Sequence, residues 1–188
     1  MKLLVLVDLQ YDFIDGMLGS PEAQAIVPKV VEKIKNYENK ENTLLLFTKD
    51  THYSNYLETL EGKMLPVPHC IENTPGWCIN KSIASAAMHE GFCGYSSAEI
   101  INSRVYKNTF GSDVLEKLIV EAQDDIEEVE LFGLCTDICV ISNALMIRQK
   151  LPNTKITVDA SCCAGVTPEK HKAALEVMRS CQINVIGE

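Results

Sequence analysis

The sequence predicts an α/β fold: a three-layer α/β/α sandwich in which helices cover both faces of a six-stranded parallel sheet. Short apolar segments alternate along the chain with segments whose apolar residues recur at helical spacing, which is typical of parallel sheets. The apolar segments are continuous, as expected for strands that are buried on both faces. No linker-like or repeated segment interrupts the 188 residues, so we expect a single domain over residues 1–188.

Six segments are predicted to be strands because they are short, apolar and rich in β-branched residues. They are Leu3–Val7, Thr43–Thr48, Ile100–Tyr106, Glu127–Phe132, Lys155–Val158 and Ile183–Ile186. No polar residue interrupts the first segment, which suits a buried strand better than an edge strand.

Helices are predicted where apolar residues recur every three to four positions. Ile26, Val30 and Ile34 mark the first helix. The other predicted helices are Ile79–His89, Asp113–Val120, Cys139–Lys150 and Pro168–Arg179. Ser112 and Thr167 stand where two of these helices begin, and both are good N-cap residues.

The composition is that of a soluble globular protein, with 46% apolar and 23% charged residues. A net charge of −9 argues against nucleic acid or an anionic membrane surface as a partner. The acidic residues between Glu121 and Glu130 are interpreted as a solvated helix end and loop. Asp8 interrupts the first apolar segment too early for a secretory leader, so the eight cysteines are interpreted as reduced thiols of a cytoplasmic protein.

Three predicted strands are followed by side chains that could act together in catalysis. Asp8 ends the first strand, Lys107 ends the third, and Cys139 lies in the first turn of the helix after the fourth. Backbone N–H groups at a helix start lower a thiol pKa and can stabilise an oxyanion, with Thr136 or Asp137 as the N-cap. Asp8 suits a general base, and the Lys107 charge suits stabilisation of a thiolate. The structural alternative is a packing cysteine, a turn-forming aspartate and a surface lysine.

These three residues belong to motifs: DxQxDF begins at Asp8, KxxF begins at Lys107, and GxxTDxCV contains Cys139. In this order and spacing the motifs resemble those of the isochorismatase-like cysteine hydrolases, the superfamily that contains the nicotinamidases. The resemblance covers nearly the whole chain and implies a Rossmann-like fold, an Asp-Lys-Cys triad and a thioester intermediate on the cysteine. It also implies a cis peptide between Leu134 and Cys135, with the N–H groups of Cys135 and Cys139 forming an oxyanion hole.

Asp50, His52 and His69 are candidate ligands for a divalent metal, because imidazole and carboxylate groups suit Zn²⁺, Mn²⁺ or Fe²⁺. His69 lies in the long non-periodic segment between residues 53 and 77, and loops of this length are often functional. The structural alternative is that both imidazoles bond only to loop backbone. The nicotinamidase resemblance implies the metal site, with Zn²⁺ as the first choice and Glu61 as a further candidate ligand. The remaining histidines match no motif and are interpreted as surface residues: His89 and His171.

The substrate walls are predicted by the same resemblance. Phe13 and Phe110 are the aromatic residues of two motifs, and a flat ring could stack on them. Nicotinamidases often carry another aromatic residue just before the later histidine motif, where this chain has Leu65. Trp77 could supply that wall instead or could belong to the core. Two polar residues of the first motif are expected to orient metal-bound water or the loop: Gln10 and Asp12.

The predicted function is therefore a metal-assisted cysteine amidohydrolase whose substrate is a small amide. Hydrolysis of nicotinamide to nicotinate and ammonia is the first choice. The alternatives are another small amide or carbamoyl compound, isochorismate cleavage, and a non-catalytic interaction or metal-storage protein on the same fold. The resemblance also implies a homo-oligomer.

Overall fold

The structure is a computed structural model that describes residues 1–37, 42–87 and 104–188. Its centre is a parallel sheet of six strands in the order β3-β2-β1-β4-β5-β6. The strands are β1 (Lys2–Val7), β2 (Thr43–Asp50), β3 (Arg104–Lys107), β4 (Glu128–Leu134), β5 (Lys155–Ala164) and β6 (Asn184–Ile186). The predicted six-stranded parallel sheet is confirmed.

Seven α-helices are described, together with two helical turns of other types. The helices are α1 (Tyr11–Ile14), α2 (Pro21–Tyr37), α3 (Leu60–Met64), α4 (Lys81–Ala87), α5 (Asp113–Glu121), α6 (Ile141–Lys150) and α7 (Pro168–Ser180). A 3₁₀ turn covers Tyr56–Glu58 and a π-type turn covers Thr136–Val140. None of the described helices is long and apolar enough to cross a bilayer.

The helices form two layers around the sheet. In one layer α2 packs on β4 and β5 and also contacts α4. In the other, α6 and α7 pack on β5 and on each other, and α5 packs between β3 and α6. The core consists of the continuous apolar strands and the apolar stripes of these helices, as the sequence pattern predicts.

The order of the strands determines where a crevice forms at the edge of the sheet. Successive strands run outward from β1 to β3 on one side and from β4 to β6 on the other, so the order reverses between β1 and β4. A crevice forms at the carboxyl ends of strands where such a reversal occurs. Gly133 in β4 allows the close approach there, because a Cβ at this residue would lie 2.1 Å from the carbonyl oxygen of Val7. The residues that follow β1 and β4 therefore lie close together in this crevice.

Most predicted boundaries agree with the structure. The main difference is β5, which continues to Ala164 because Ala160, Cys162 and Cys163 are also buried in the sheet. Two predictions lie partly outside the described residues, namely the strand Ile100–Tyr106 before Arg104 and the helix Ile79–His89 after Ala87. His89 itself also lies outside them.

The predicted helix caps are confirmed at two helices and corrected at the cysteine turn. The hydroxyl oxygens of Ser112 and Thr167 accept hydrogen bonds from the first turns of α5 and α7. At the cysteine turn, however, the N-cap position belongs to Cys135. The carboxylate of Asp137 instead accepts a hydrogen bond from the backbone N–H of Val166, 2.9 Å away.

The acidic segment that ends at Glu130 is only partly solvated. Glu130 lies within β4 with 2% of its surface exposed, and Lys33 of α2 forms ion pairs with Glu130 and with Asp159 of β5. Lys2 lies 2.6 Å from the same glutamate. The interpretation of Glu130 as a solvated residue is therefore wrong, because its strand places the carboxylate under α2.

Candidate active site

The three predicted catalytic side chains meet at the carboxyl edge of the sheet. Nζ of Lys107, at the end of β3, lies 2.6 Å from Oδ2 of Asp8, which follows β1. The same ammonium group donates a hydrogen bond to the sulfur of Cys139 at 3.5 Å. Cys139 lies in the helical turn that follows β4, as predicted. All three residues are buried, so their charges interact with little screening by solvent.

Asp8 is held by its backbone and by a neighbouring strand. Its φ of +47° is in the left-handed region, which is uncommon for a residue other than glycine. The hydroxyl of Thr48 donates a hydrogen bond to Oδ1 of Asp8 at 2.7 Å, and the backbone N–H of Asp8 bonds back to Thr48. Sequence reasoning missed Thr48, although a lone hydroxyl beside an apolar run at a strand end was a weak signal for it.

Burial is the largest single influence on the pKa values of Asp8, Lys107 and Cys139. It raises the pKa of Asp8, while the Lys107 ammonium and the Thr48 hydroxyl oppose that rise. Burial by itself lowers the pKa of Lys107, but the carboxylate of Asp8 reverses the shift, so Lys107 keeps its charge. Burial and then the Asp8 charge raise the pKa of the Cys139 thiol well above its usual value, against the effect of Lys107.

The expected lowering of the thiol pKa at a helix start is therefore wrong for this site. The raised pKa favours the protonated thiol, and the carboxylate of Asp8 is the adjacent group that can accept its proton. The arrangement suits a nucleophile that is deprotonated as it attacks, with Lys107 stabilising the negative charge that develops.

A candidate metal site lies beside the triad. The donor atoms of Asp50, His52 and His69 all lie within 4.8 Å of one another. Nε2 of His52 is 3.1 Å and Nε2 of His69 is 3.5 Å from Oδ2 of Asp50. The carboxylate of Glu61 approaches the same two nitrogens, at 3.6 and 3.9 Å.

This donor set suits a divalent metal ion. Nε2 of His52 is buried and lacks a well-directed hydrogen-bond partner among the described residues. Nδ1 of His69 lies 2.8 Å from the carbonyl oxygen of Val67, so a proton on Nδ1 leaves the Nε2 lone pair facing Asp50. A buried nitrogen without a partner and a fixed tautomer are what a metal ligand requires.

Gln10 and Asp12 hold the backbone that carries these ligands. The side-chain amide of Gln10 bonds to both the N–H and the carbonyl of Asp50, at 2.7 and 2.8 Å. The carboxylate of Asp12 accepts the N–H of Cys70, the residue after His69, at 2.7 Å. Their contacts are thus with the ligand-bearing segments.

The two sites open into one cavity of about 350 Å³. Cys139 and Cys135 line it together with Asp50, Glu61 and His69. The rest of the lining is mainly apolar and includes Phe13, Leu18, Leu65, Phe110, Ile138 and Val166. An apolar cavity with a few convergent polar groups is typical of a site for a small molecule. Phe13, Leu65 and Phe110 therefore lie where a substrate wall was predicted.

Trp77 does not line this cavity, and its prediction as a wall is corrected. Its ring stacks on Tyr106 with 5.8 Å between the centroids, and the ammonium of Lys49 lies over the Trp77 ring, 2.9 Å from its centroid. Its indole N–H donates to the hydroxyl of Thr51 at 2.9 Å. These contacts fix Trp77 in the packing beside β2 and β3.

The peptide between Leu134 and Cys135 is cis, as the resemblance implied. Residues 2–187 match the Isochorismatase domain family. The chain belongs to the isochorismatase family. The predicted membership is thereby confirmed for nearly the full sequence.

Known members of the isochorismatase family resemble this chain along most of their length. The nicotinamidase/pyrazinamidase of Mycobacterium tuberculosis is 27% identical over 195 residues, covering 99% of this chain and 98% of the relative. The nicotinamidase of Schizosaccharomyces pombe is 27% identical over 208 residues, covering 98% and 92%. The crystal structure of Pyrococcus horikoshii pyrazinamidase in complex with zinc is 25% identical, with a TM-score of 0.74 and coverage of 100% and 99%. These relatives support the prediction of an amidohydrolase.

His171 is not the surface residue that the sequence suggested. It lies half-buried on α7, and its Nδ1 is 2.7 Å from the hydroxyl oxygen of Thr136 in the cysteine turn. Burial lowers its pKa, so the neutral imidazole is favoured. The two residues in this contact are 35 positions apart in sequence, so no local sequence pattern predicts it.

Proposed function

We propose that this isochorismatase-family protein hydrolyses the amide of nicotinamide to nicotinate and ammonia through a thioester on Cys139. The observation that carries the proposal is the single apolar cavity into which both the Cys139 thiol and the Asp50–His69 donor cluster open. Phe13 and Phe110 line the same cavity as Cys139, so a flat ring that stacks on one of them would bring its amide carbon within reach of the sulfur.

The proposed reaction begins with attack of the Cys139 sulfur on the amide carbon while Asp8 accepts the thiol proton. Lys107 and the backbone N–H groups of Cys135 and Cys139 stabilise the negative charge on the substrate oxygen. Asp8 then gives its proton to the departing nitrogen, so ammonia leaves and a thioester remains.

The second half returns the enzyme to its starting state. Water attacks the thioester carbon, and Asp8 accepts a proton from that water. The carbon–sulfur bond breaks, nicotinate is released, and Cys139 regains its proton from Asp8. One water is consumed and one ammonia is formed in each cycle.

We propose Zn²⁺ as the metal, held by Asp50, His52 and His69 with Glu61 as a fourth protein ligand. The zinc in the P. horikoshii relative and the donor distances in this chain support the choice. The bound ion would act as a Lewis acid toward the pyridine nitrogen of the substrate and so fix the orientation of the ring.

The test is ammonia release from nicotinamide by the metal-loaded protein, with Cys139→Ala as the control. Benzamide is the matched substrate, because it keeps the ring and amide but lacks the nitrogen that would meet the metal. We expect Cys139-dependent turnover of nicotinamide and a kcat/KM for benzamide that is at least about 100-fold lower. Absence of turnover by metal-loaded protein would overturn the proposal for nicotinamide.

A second candidate substrate is another small amide or carbamoyl compound handled by the same triad. Leu65 favours it, because this aliphatic residue lines the cavity where nicotinamidases often have an aromatic one. A panel of small amides with equal enzyme concentrations separates the two, since the better substrate is the one with the higher kcat/KM. If benzamide and aliphatic amides exceed nicotinamide, this second candidate is the correct one.

A further inference from the structure

A buried amide side chain connects the cysteine turn with the segment that follows the catalytic lysine. Asn143 lies on α6, four residues after Cys139, and has no exposed surface. Its Nδ2 donates to the carbonyl oxygen of Cys139 at 2.7 Å and to that of Phe110 at 3.2 Å. Its Oδ1 accepts the backbone N–H of Ser112 at 3.1 Å.

The chemistry of these partners fixes the orientation of the amide. Both donor bonds go to carbonyl oxygens and the acceptor bond comes from an N–H, so a flipped side chain would lose all three. A fully buried amide that is bonded on both ends gives a rigid connection, since breaking it leaves unpaired polar groups in the interior.

The segment that Asn143 holds begins at the catalytic lysine. Lys107 ends β3, and the chain then passes through Phe110, which lines the cavity, to Ser112, which caps α5. Within this segment Asn143 bonds on both sides of Gly111. The Asn143 side chain therefore links the backbone of Cys139 to the segment that follows Lys107.

We propose that Asn143 is a positioning residue that sets Lys107 and Phe110 against Cys139. The inference rests on Cys139 being the nucleophile of the proposed function, but it does not depend on the identity of the substrate. Since Lys107 approaches the sulfur at only 3.5 Å, a small shift of its segment weakens the charge that favours the thiolate.

The experiment measures how fast iodoacetamide alkylates Cys139 as a function of pH, with the modified peptide quantified by mass spectrometry. Asn143→Ala removes all three hydrogen bonds. We expect the apparent pKa of the thiol to rise and the alkylation rate at neutral pH to fall about tenfold, which corresponds to one pKa unit. The kcat for the amide substrate should fall at least tenfold, because misplacement of catalytic groups is costly.

Asn143→Thr is a second variant that guards against misfolding. Its hydroxyl can still donate to the carbonyl four residues back, as Ser and Thr do in helices, but it is too short to bond on both sides of Gly111. We expect it to melt near the wild-type temperature and still to show the slower alkylation. If Asn143→Ala does not fold, Asn143→Thr decides the question by the same measurement.

Ser142→Ala is the matched control. The hydroxyl of Ser142 donates to the carbonyl of Ile138 at 2.6 Å, so the variant removes a similar bond from the same turn but keeps the three bonds of Asn143. The proposal is overturned if a folded Asn143 variant keeps the wild-type alkylation profile, or if Ser142→Ala changes the profile equally. Because alkylation needs no substrate, this outcome is distinguishable from a wrong choice of nicotinamide.

Discussion

Lys107 is the side chain that contacts each of the other groups in the proposed triad. Its ammonium lies 2.6 Å from Asp8, 3.5 Å from Asp50 and 3.5 Å from the sulfur of Cys139. Lys107 is the largest influence that opposes burial at Asp8, and burial raises the pKa of both Asp8 and Cys139. Loss of this charge therefore disfavours the carboxylate form of Asp8 that the proposed mechanism needs as a base.

Replacement of Lys107 by methionine tests this coupling while preserving the volume of the aliphatic stem. We expect kcat/KM to fall by about 10²–10⁴-fold, the usual contribution of a general base that is lost. Lys117→Met is the matched control, since Lys117 is exposed and pairs only weakly with Asp113. Near-normal turnover by folded Lys107→Met would remove Lys107 from the mechanism.

Thr48 is expected to matter through its hydroxyl, which donates to Oδ1 of Asp8 at 2.7 Å and accepts the backbone N–H of Asp8 at 3.2 Å. A hydrogen bond to a charged group contributes about 1.5–3 kcal/mol, so Thr48→Val should lower kcat/KM by about 10–100-fold. Steady-state kinetics measures kcat/KM, and the metal content of each variant is determined so that loss of metal is not mistaken for loss of the hydrogen bond. Thr157→Val provides the comparison, because Thr157 is equally buried in β5 but does not contact the triad. An equal loss in both variants would contradict a specific role for Thr48.

The strands and the residues at their ends could be predicted because their signals are local. Asp8 and Lys107 each close a short apolar run, and Cys139 follows another such run with its helix, so the sequence places all three at one sheet edge. Two candidate metal ligands are placed in the same way, since Asp50 ends β2 and His52 lies just beyond it. Alternation of strands and helices was sufficient to predict a parallel sheet, whose strands all end at one edge. The strand order that makes these ends neighbours came from the structure.

The errors concern contacts between distant elements. His171 was interpreted as a surface residue, although it bonds to Thr136 in the cysteine turn. Trp77 was a candidate wall, but stacking on Tyr106 determines its position. Such pairings depend on which elements pack against each other, and hydrophobic periodicity carries no information about individual polar partners. The same is true of Asn143.

Lys33 of α2 and Glu130 of β4 add an ion pair to the apolar packing of α2 on the sheet. Burial by itself raises the pKa of Glu130, but hydrogen bonds from Lys2 and Lys33 outweigh it and the pKa lies below its usual value. A carboxyl group whose pKa is lowered by folding stabilises the native state above its unfolded pKa. That stabilisation is lost as the pH falls through the folded value.

We therefore expect Glu130→Gln to lower the free energy of unfolding at pH 7 by about 1–3 kcal/mol. The difference from wild type should shrink as the pH falls below the usual glutamate value of about 4.3. Urea unfolding of both proteins at pH 7 and at a pH below about 4 measures this difference in the free energy of unfolding. Glu116→Gln breaks a more exposed pair with Lys150, and its cost should not exceed about 1 kcal/mol. A pH-independent loss in Glu130→Gln would show that the charge is not what stabilises this contact.

The candidate metal site connects distant parts of the molecule, because Asp50 and His52 lie at the end of β2 whereas His69 belongs to the long segment after it. A metal that binds this folded arrangement and not the unfolded chain stabilises the protein by about 2.7 kcal/mol at 100 times its Kd. For a domain of this size that corresponds to a rise in Tm of about 5–10 °C.

We expect chelation to remove this increment together with activity, and Zn²⁺ to restore both. His69→Ala should abolish the zinc-dependent shift, whereas His171→Gln should retain it. Elemental analysis gives an independent check, since less than about 0.2 metal per chain in protein never exposed to chelator would contradict the three-ligand site.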